Sequence, residues 1–536
     1  MSTRQNKSAI DATRRQQYLA ALQREQFDVL VIGAGITGCG VARDAAMRGL
    51  RVALVDAGDI SAATSSRSAK LIHGGARYLA QGQMTVVKEA ATERRIVRKL
   101  APHLSLTNPM VVLARSKASL ALLSSGLWTY EKLGHVDEKE RHVIWDTDEL
   151  KANEPSVKRG KLAGAAVYPE YQTEDSRLTL ANARSAAAHG ATVVTYAAVD
   201  TIVMKNGRAV GAMVRDVLSG KGEPFEVRAK IVVNAAGPWV DAVRKMEEKR
   251  AANKLQLTKG IHLIFSRDRL PMERTICWQG PDRRGLFAVP RGRFVYMGTT
   301  DTFYPKPEYW PRITREDINY LRDSASTVFN VAPLTDADIV GLWSGIRPLL
   351  GEEGKKPSEI SRRNELFIGP GGMISVAGGK LTSYRSMAER VGDECQKTLG
   401  MKPSPAGTDG EPLPGGDLGE PFEKFTVRVE ALGLSSDEAQ RLARLYGSEA
   451  LTLFSEQSGP AVEAEFAVKK EGALTLEDYW VRRSARSNFD DNGGMDALEP
   501  AAAAMGNLLK WSEAEKNNQI ELCRKRRHKE MRILKK

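Results

Sequence analysis

The sequence predicts an α/β fold that ends in a helical domain, and three observations carry the prediction. A short apolar strand, a glycine-rich turn, a helix and a second apolar strand follow one another early in the chain, between residues 27 and 56. Apolar runs broken by turn residues recur up to about residue 400. After a stretch rich in Gly and Pro that begins at Ser404 and reads as a linker, the pattern is helical throughout.

The first unit is the most specific. FDVLVI, from Phe27, has the look of a buried parallel strand. GAGITG follows and puts Gly33, Gly35 and Gly38 in G-x-G-x-x-G spacing. CGVARDAAMRGL then reads as a helix, and RVALVD as a second buried strand that ends in Asp56, 18 positions past Gly38. Gly33 allows a tight turn, Gly35 lets backbone N–H groups approach a pyrophosphate, and Gly38 lets helix and strand pack closely. The helix N-terminus favours negative charge. Asp56 is placed to accept hydrogen bonds from a ribose diol, and its charge argues against the extra phosphate of NADP. The unit is therefore Rossmann-like and binds a dinucleotide, FAD or NAD.

The other elements follow in order. Residues 1–25 form a polar, basic N-terminal arm. From Ala191, ATVVTYAAVDTIVMKNGRAVGAMVRD reads as strands joined by the turn Asn206-Gly207. KIVVNAAG is a strand running into a glycine turn at Gly237. LFAVP and FVYMGTTD read as strands of a mixed β-sheet laid over the cofactor. RITREDINYLRDSASTVF, from Arg312, reads as a helix capped by Thr314. The predicted organisation is an arm over 1–25 and an α/β domain over 26–400 that contains the dinucleotide-binding unit. A C-terminal helical domain over 401–523 and a basic tail over 524–536 complete it.

Composition narrows the class. The chain has 536 residues, enough for several domains with sizeable cores, and is 42% hydrophobic and 27% charged. Cys39, Cys277, Cys395 and Cys523 are scattered, so neither a metal site nor a disulfide framework is expected. No apolar run is long enough to span a bilayer, and the N-terminus lacks the apolar stretch of a secretory signal. The net charge of +13 is partly concentrated in RKRRHKEMRILKK, from Arg524, with eight Lys or Arg against one Glu. That run reads either as a solvated tail or as an attachment to an anionic membrane surface, with Ile533 and Leu534 adding a small apolar contact. The helical pattern around Leu120 to Trp128 is the second candidate for such a contact. No platform of aromatic and basic residues accompanies the tail, so nucleic acid is not expected as a partner.

One stretch fits no regular element. TSSRSAKLIHGGARYL, from Thr64, is crowded with hydroxyls and cations, then broken by two glycines. Placed after the Rossmann-like unit, it resembles the family of FAD-dependent glycerol-3-phosphate dehydrogenases, within the D-amino-acid-oxidase-like flavoproteins. QTEDSRLTLANA, VVNAAGPWVD, KGIHLIF, MGTTD, SGIRPL, AGGKLTSYRSMAE and LTLEDYWVRR match in the same order, from about Phe27 to about residue 510. The resemblance implies FAD as cofactor, and that 26–400 is an oxidoreductase domain in which cofactor-binding and substrate-capping segments interleave. It implies that Thr64, Ser65, Ser66 and Lys70 wrap its phosphate and ribitol side, and that His73 and Gly74 pass close to the ring. Gly237, Gly379, Lys380, Leu381 and Thr382 close on it from other sides. Arg77, Tyr78, Arg347 and Lys380 fall around the substrate, where arginine suits a bidentate grip on phosphate. His262 is the preferred general base and His73 a flavin contact; Arg347, always protonated, suits a developing alkoxide.

Three positions depart from the family pattern. Asp56 stands where Glu is common, Ile261 precedes His262 where a small polar residue is usual, and Ala69 replaces a frequent hydroxyl. The implied reaction is oxidation of sn-glycerol 3-phosphate to dihydroxyacetone phosphate, with electrons passed to a membrane quinone. The implied location is cytoplasmic, on the inner face of the cell membrane, with room for a homodimer. An oxidase that passes electrons to oxygen is the nearest rival. An amine or amino-acid oxidase would need fewer cations than Arg77, Arg347 and Lys380 provide. A flavin-binding regulator would not need a base and a clamp.

Overall fold

The structure, a computed structural model, describes residues 9–73, 84–134, 136–160, 162–220, 222–351 and 364–535. Two sheets and a helical region build it. In the first sheet, parallel strands run in the spatial order Ile374–Gly378, Phe225–Asn234, Gln26–Ile32, Val52–Val55 and Thr192–Val194. Asn364–Ile368 pairs antiparallel at one edge, and the hairpin Ala197–Lys205 with Arg208–Asp216 attaches to the start of Phe225–Asn234. The turn of that hairpin is Asn206-Gly207, both with positive φ, as the sequence predicts.

Burial on both faces explains why the first strand is apolar from Val29 to Ile32. Val29 and Val31 face one core with the helix Ile36–Met47, while Phe27, Leu30 and Ile32 face another with the hairpin. The helix Tyr384–Thr398 crosses Ile36–Met47 at two glycines. A Cβ on Gly40 would lie 3.1 Å from the Tyr384 ring, and one on Gly392 only 2.0 Å from the Asp44 carboxylate.

The second sheet is mixed. Its longest pair, at one edge of the sheet, is Leu255–Ser266 with Ile339–Leu350, antiparallel in a register that sets Thr258 against Arg347, Gly260 against Gly345 and His262 against Trp343. Successive side chains alternate faces. Ile261, Leu263, Phe265 and Leu342 therefore enter the core on one side. Thr258, Gly260, His262, Trp343, Gly345 and Arg347 share the other. The helix Arg315–Ser326 packs on this sheet and is capped by Thr314 with Asp317 in a reciprocal box.

The helical region is joined to the rest by buried charges. Arg482 Nε lies 2.5 Å from Asp59 Oδ2, and Arg483 also grips Asp59, with Nη2 donating to Oδ1 at 2.8 Å. Arg177 and Glu471 pair at 2.6 Å, Arg184 and Glu449 at 2.7 Å, and Glu174 receives both Arg291 and Arg444 at 2.7 Å. The Gly/Pro-rich stretch from Ser404, predicted as a linker, is packed into the body. Arg43 donates to the carbonyls of Thr408 and Glu411, and buried Leu413 bonds back to Leu100.

Both termini differ from the sequence expectation. From Ile10 the N-terminal arm is folded: Ile10 bonds to the Lys470 carbonyl, and the helix Arg15–Arg24 buries Leu19 and Leu22. Its Arg15 is buried and pairs with Asp216 at 2.8 Å. The basic run from Arg524 belongs to the helix Glu513–Met531, which crosses the expected boundary at residue 523. Ile533 and Leu534 pack on the core of the second sheet, so their apolar surface is spent inside the protein.

Removing the Asp59 carboxylate would take their shared partner from two buried guanidinium groups, leaving Arg482 with Asp478 at 2.7 Å and Arg483 with the Glu471 carbonyl at 2.8 Å. Asp59→Ala should cost about 3–5 kcal/mol, the usual result of breaking a buried pair. The check is a lower urea midpoint, with Asp59→Asn falling between variant and parent. An unchanged midpoint for Asp59→Ala would contradict this reading of the joint.

Candidate active site

Three neighbouring parallel strands end in glycine turns, and these ends meet. Gly33 (φ +108°) follows the first strand, and a Cβ there would lie 2.6 Å from the Ala235 carbonyl oxygen. Gly38 is more constrained still, at 1.8 Å from the Gly33 carbonyl oxygen. Gly237 (φ +51°) opens the turn after Phe225–Asn234, and Gly378 and Gly379 (φ +74° and +90°) the turn after Ile374–Gly378. Ligands of parallel sheets bind in the crevice at the carboxyl ends of the strands. Here the crevice contains a cavity of about 220 Å³ lined by Gly33, Gly35, Asp56, Ser65, Ala236 and Tyr309 among others. Trp239 and Tyr309 also meet there, with ring centroids 4.8 Å apart, and Val199, Val243 and Met246 complete a wall suited to a flat purine.

Asp56 stands at the mouth of this cavity. Its carboxylate accepts from the Ala34 N–H at 2.6 Å and the Gly58 N–H at 2.8 Å. Burial pushes its carboxyl up to about 6, against the pull of those two donors. The two N–H contacts leave acceptor capacity on both oxygens for a ribose diol. Bare glycines, a helix N-terminus and this acid together fit the adenosine and pyrophosphate of FAD.

The loop that follows is stitched between the two sheets. Thr64 Oγ1 donates to the Ile346 carbonyl at 2.7 Å, and Ser65 Oγ accepts from the Ile36 N–H at 2.9 Å, at the start of the helix Ile36–Met47. Ser66 Oγ donates to the Ala63 carbonyl at 3.2 Å. Trp343 Nε1 donates to the Ser68 carbonyl at 3.3 Å, and the Tyr296 hydroxyl to the Ala69 carbonyl at 3.0 Å. Asp175 folds the loop from the other side: it accepts from the Ser68 N–H and hydroxyl at 3.0 and 2.7 Å, and from Lys70 Nζ at 2.6 Å. The Lys70 ammonium thus braces the loop. His73 ends it, its carbonyl accepting from Thr382 Oγ1 at 3.1 Å. This contact joins the loop to the late turn, where Gly379, Lys380, Leu381 and Thr382 precede the helix Tyr384–Thr398 and its positive end.

On the second sheet, Arg347 and His262 occupy the face turned toward the loop. Arg347 Nη1 lies 3.1 Å from Asp301 Oδ1, and Nη2 donates to Thr299 Oγ1 at 2.8 Å and the Thr300 carbonyl at 3.2 Å. These contacts fix the plane of the fork over bare Gly260, whose Cβ position lies 2.1 Å from Nη2. His262 is 2% exposed and stacks on Trp343, centroids 4.5 Å apart, with Phe287 and Tyr296 beyond. Burial, then Arg347 and Lys70, hold its imidazole well below the usual histidine range. It is therefore neutral near pH 7, rather than poised to titrate there. Both ring nitrogens are without a hydrogen-bond partner among the described residues.

The sequence candidates divide accordingly. Gly33, Gly35, Asp56, Thr64, Ser65 and Gly237 line the crevice cavity, and Gly38 packs directly behind the Gly33 turn. Ser66, Lys70, His73 and Thr382 are in the loop and late turn, and Arg347 and His262 lie on the facing sheet. Gly74, Arg77 and Tyr78 lie outside the described residues. Asp175, Thr299, Asp301, Trp343, Trp239 and Tyr309 were not anticipated. Asp175 and Asp301 carried a signal, as acids inside the matched stretches QTEDSR and MGTTD, and so did Trp239 inside VVNAAGPWVD; Trp343 and Tyr309 carried none.

A Rossmann-like crevice faced by a mixed sheet is the architecture of flavin-dependent oxidoreductases, and residues 28–385 match the family described as FAD dependent oxidoreductase. Residues 406–516 match the C-terminal domain of alpha-glycerophosphate oxidase. The aerobic glycerol-3-phosphate dehydrogenase of Bacillus subtilis (strain 168) is 37% identical over 96% of this chain and 97% of its own. The glycerol-3-phosphate dehydrogenase of Bacillus halodurans, solved with FAD, superposes with a TM-score of 0.81 at 31% identity, covering 97% of this chain and 98% of that one. The chain belongs to the family of FAD-dependent glycerol-3-phosphate dehydrogenases, and its cofactor is FAD. The L-alpha-glycerophosphate oxidase of Mycoplasma pneumoniae shares the fold at TM-score 0.55 and 15% identity, over 71% of this chain and 96% of its own.

Asp56→Ala should weaken FAD retention by about 1.5–3 kcal/mol, the worth of a hydrogen bond to a charged group. Parent FAD affinity should also fall as pH drops through about 6, where the carboxylate is lost. Full flavin occupancy of Asp56→Ala after dilution and gel filtration would remove Asp56 from the cofactor site.

Proposed function

We propose that the protein oxidises sn-glycerol 3-phosphate to dihydroxyacetone phosphate and passes the electrons to a membrane quinone. The observation that carries the reading is the Arg347 fork, held in plane by Asp301 and Thr299 on the sheet face that meets the cofactor loop. Bound FAD supplies the hydride acceptor. Arg347 offers planar, charge-assisted donors to the phosphate or to the developing alkoxide. Neutral His262 takes the hydroxyl proton. A phosphate dianion entering the pocket opposes the field of Arg347 and Lys70 and makes the imidazole a better base. The aromatic wall of Trp343, Tyr296 and Phe287 keeps water from its ring.

The quinone reading draws on a second feature. The helix Lys117–Gly134 leaves an apolar stripe in solvent: Leu122 is 74% and Trp128 58% exposed, with Ala118 and Ala121 on the same side. Leu120 and the Trp145 carbonyl meet over Gly164, which brings exposed Val143 and Ile144 beside that helix. Exposed Arg115, Lys117, Lys132 and Lys139 lie in or next to these elements, while Arg141 is paired with Glu138 at 3.1 Å. Apolar residues with cations nearby suit an anionic lipid surface. Among the described residues no helix is long and apolar enough to cross a membrane. The docking proposed for the tail from Arg524 thus passes to this patch.

The test is anaerobic. Glycerol 3-phosphate should bleach the bound flavin, and quinone in anionic vesicles should restore the colour faster than oxygen. Faster recovery with oxygen would make the protein an oxidase. Trp128→Ser with Leu122→Ser should slow recovery by vesicle quinone and leave a soluble dye unaffected.

Two substitutions test the chemistry. Arg347→Ala should abolish most activity on glycerol 3-phosphate while unphosphorylated glycerol, a poor substrate, loses far less; equal losses would move Arg347 off the phosphate. His262→Gln should keep FAD and slow flavin reduction by roughly 10²–10⁴-fold. Reduction at the parent rate would pass the proton to His73.

A further inference from the structure

Arg67 is the one cation of the cofactor loop that neither the crevice nor the Asp175 brace accounts for. It is 6% exposed, and its Nε and Nη2 have no hydrogen-bond partner among the described residues. Its guanidinium instead lies on the Trp310 ring, 3.5 Å from the centroid. Arg526, on the C-terminal helix Glu513–Met531, stacks on the same ring at 4.2 Å. A cation over an indole face is held by the ring quadrupole, most strongly where water is excluded.

The ring is itself fixed on both sides. Tyr309 lines the crevice cavity, and the Pro311 carbonyl accepts from Ser344 Oγ at 2.5 Å. The end of the helix is tied down at three points: Arg527 donates to the Val340 carbonyl of the second sheet at 2.5 Å, Arg526 approaches Glu477 of the helical region at 3.6 Å, and Arg315 of the helix Arg315–Ser326 binds the Ile533 carbonyl. The Arg67 backbone rests on the second sheet at Gly345, its carbonyl oxygen 2.7 Å from where a Cβ on Gly345 would stand. Holding the Arg67 side chain therefore helps to hold the loop that runs from Thr64 to Lys70.

We propose that Trp310 and Arg526 are positioning residues for the flavin: the C-terminal helix, through the Trp310 ring, holds Arg67 and so sets where the cofactor loop lies. The proposal rests on the reading of Thr64–Lys70 as a cofactor loop and is independent of substrate and electron acceptor. It gives the end of the chain a role inside the protein.

The experiment titrates apoprotein with FAD and follows flavin fluorescence. Trp310→Leu and Arg526→Ala should each raise the FAD Kd about tenfold, which corresponds to about 1.4 kcal/mol. The double variant should be no worse than about either single one, since both act on one contact. Arg526→Lys, which keeps a cation for the ring, should recover most of the affinity. Arg524→Ala, on the same helix but paired with exposed Glu499, should bind FAD like the parent. Parent affinity in both Trp310→Leu and Arg526→Ala would overturn the proposal, as would multiplicative losses in the double variant or an equal loss in Arg524→Ala. Asp56→Ala reports on the crevice separately: its loss of FAD beside an unaffected Trp310→Leu contradicts the strap alone.

Discussion

The approach of the Arg67 carbonyl to the bare backbone of Gly345 is the contact on which the site depends. It lets the cofactor loop lie flat on the substrate sheet, two residues from Arg347 on the same strand. Any side chain at Gly345 would collide with Arg67. Around that point Thr64, Ser68 and Ala69 are bonded to Ile346, Trp343 and Tyr296, while Asp175 holds the loop from the first sheet's side. The glycine crevice and the Arg347–His262 face are thereby brought to opposite edges of one short loop. Binding of the cofactor and placement of the reacting groups become one structural problem.

Buried charge sets the second constraint. Asp59 lies three residues past Asp56, and it is gripped by Arg482 and Arg483 of the helical region. Glu471 with Arg177, Glu449 with Arg184 and Glu174 with Arg444 make similar pairs across the same boundary. Such pairs add little over apolar packing but are costly to break on one side. The helical region is therefore held in register with the crevice. Through Arg526 it also reaches the loop itself.

The parts of this arrangement that are local in sequence were legible there. Gly33, Gly38 and Asp56 announce the crevice because a tight turn, a close helix and an acid at the right spacing must be adjacent in the chain. The Asn206-Gly207 hairpin and the Thr314 cap are legible for the same reason. Features made by distant residues were not. The stretch from Ser404 reads as a linker because Gly and Pro dominate it, yet its carbonyls are taken by Arg43, more than 360 residues away. The tail from Arg524 reads as a solvated run or a membrane attachment because its charge hides a helix whose neighbours are Trp310, Val340 and the second-sheet core. The resemblance picked out His262 but not its aromatic box, which depends on Trp343 and Tyr296 arriving by strand register.

A crystal structure of the holoprotein with glycerol 3-phosphate, taken with the flavin reduced, tests the central claim most directly. The account predicts the flavin between the loop Thr64–Lys70 and the turn Gly378–Thr382. It places the phosphate or the carbinol oxygen within hydrogen-bond distance of Arg347, and His262 on the same side of the ring. Substrate bound on another face, with Arg347 engaged only by Asp301 and Thr299, would contradict it.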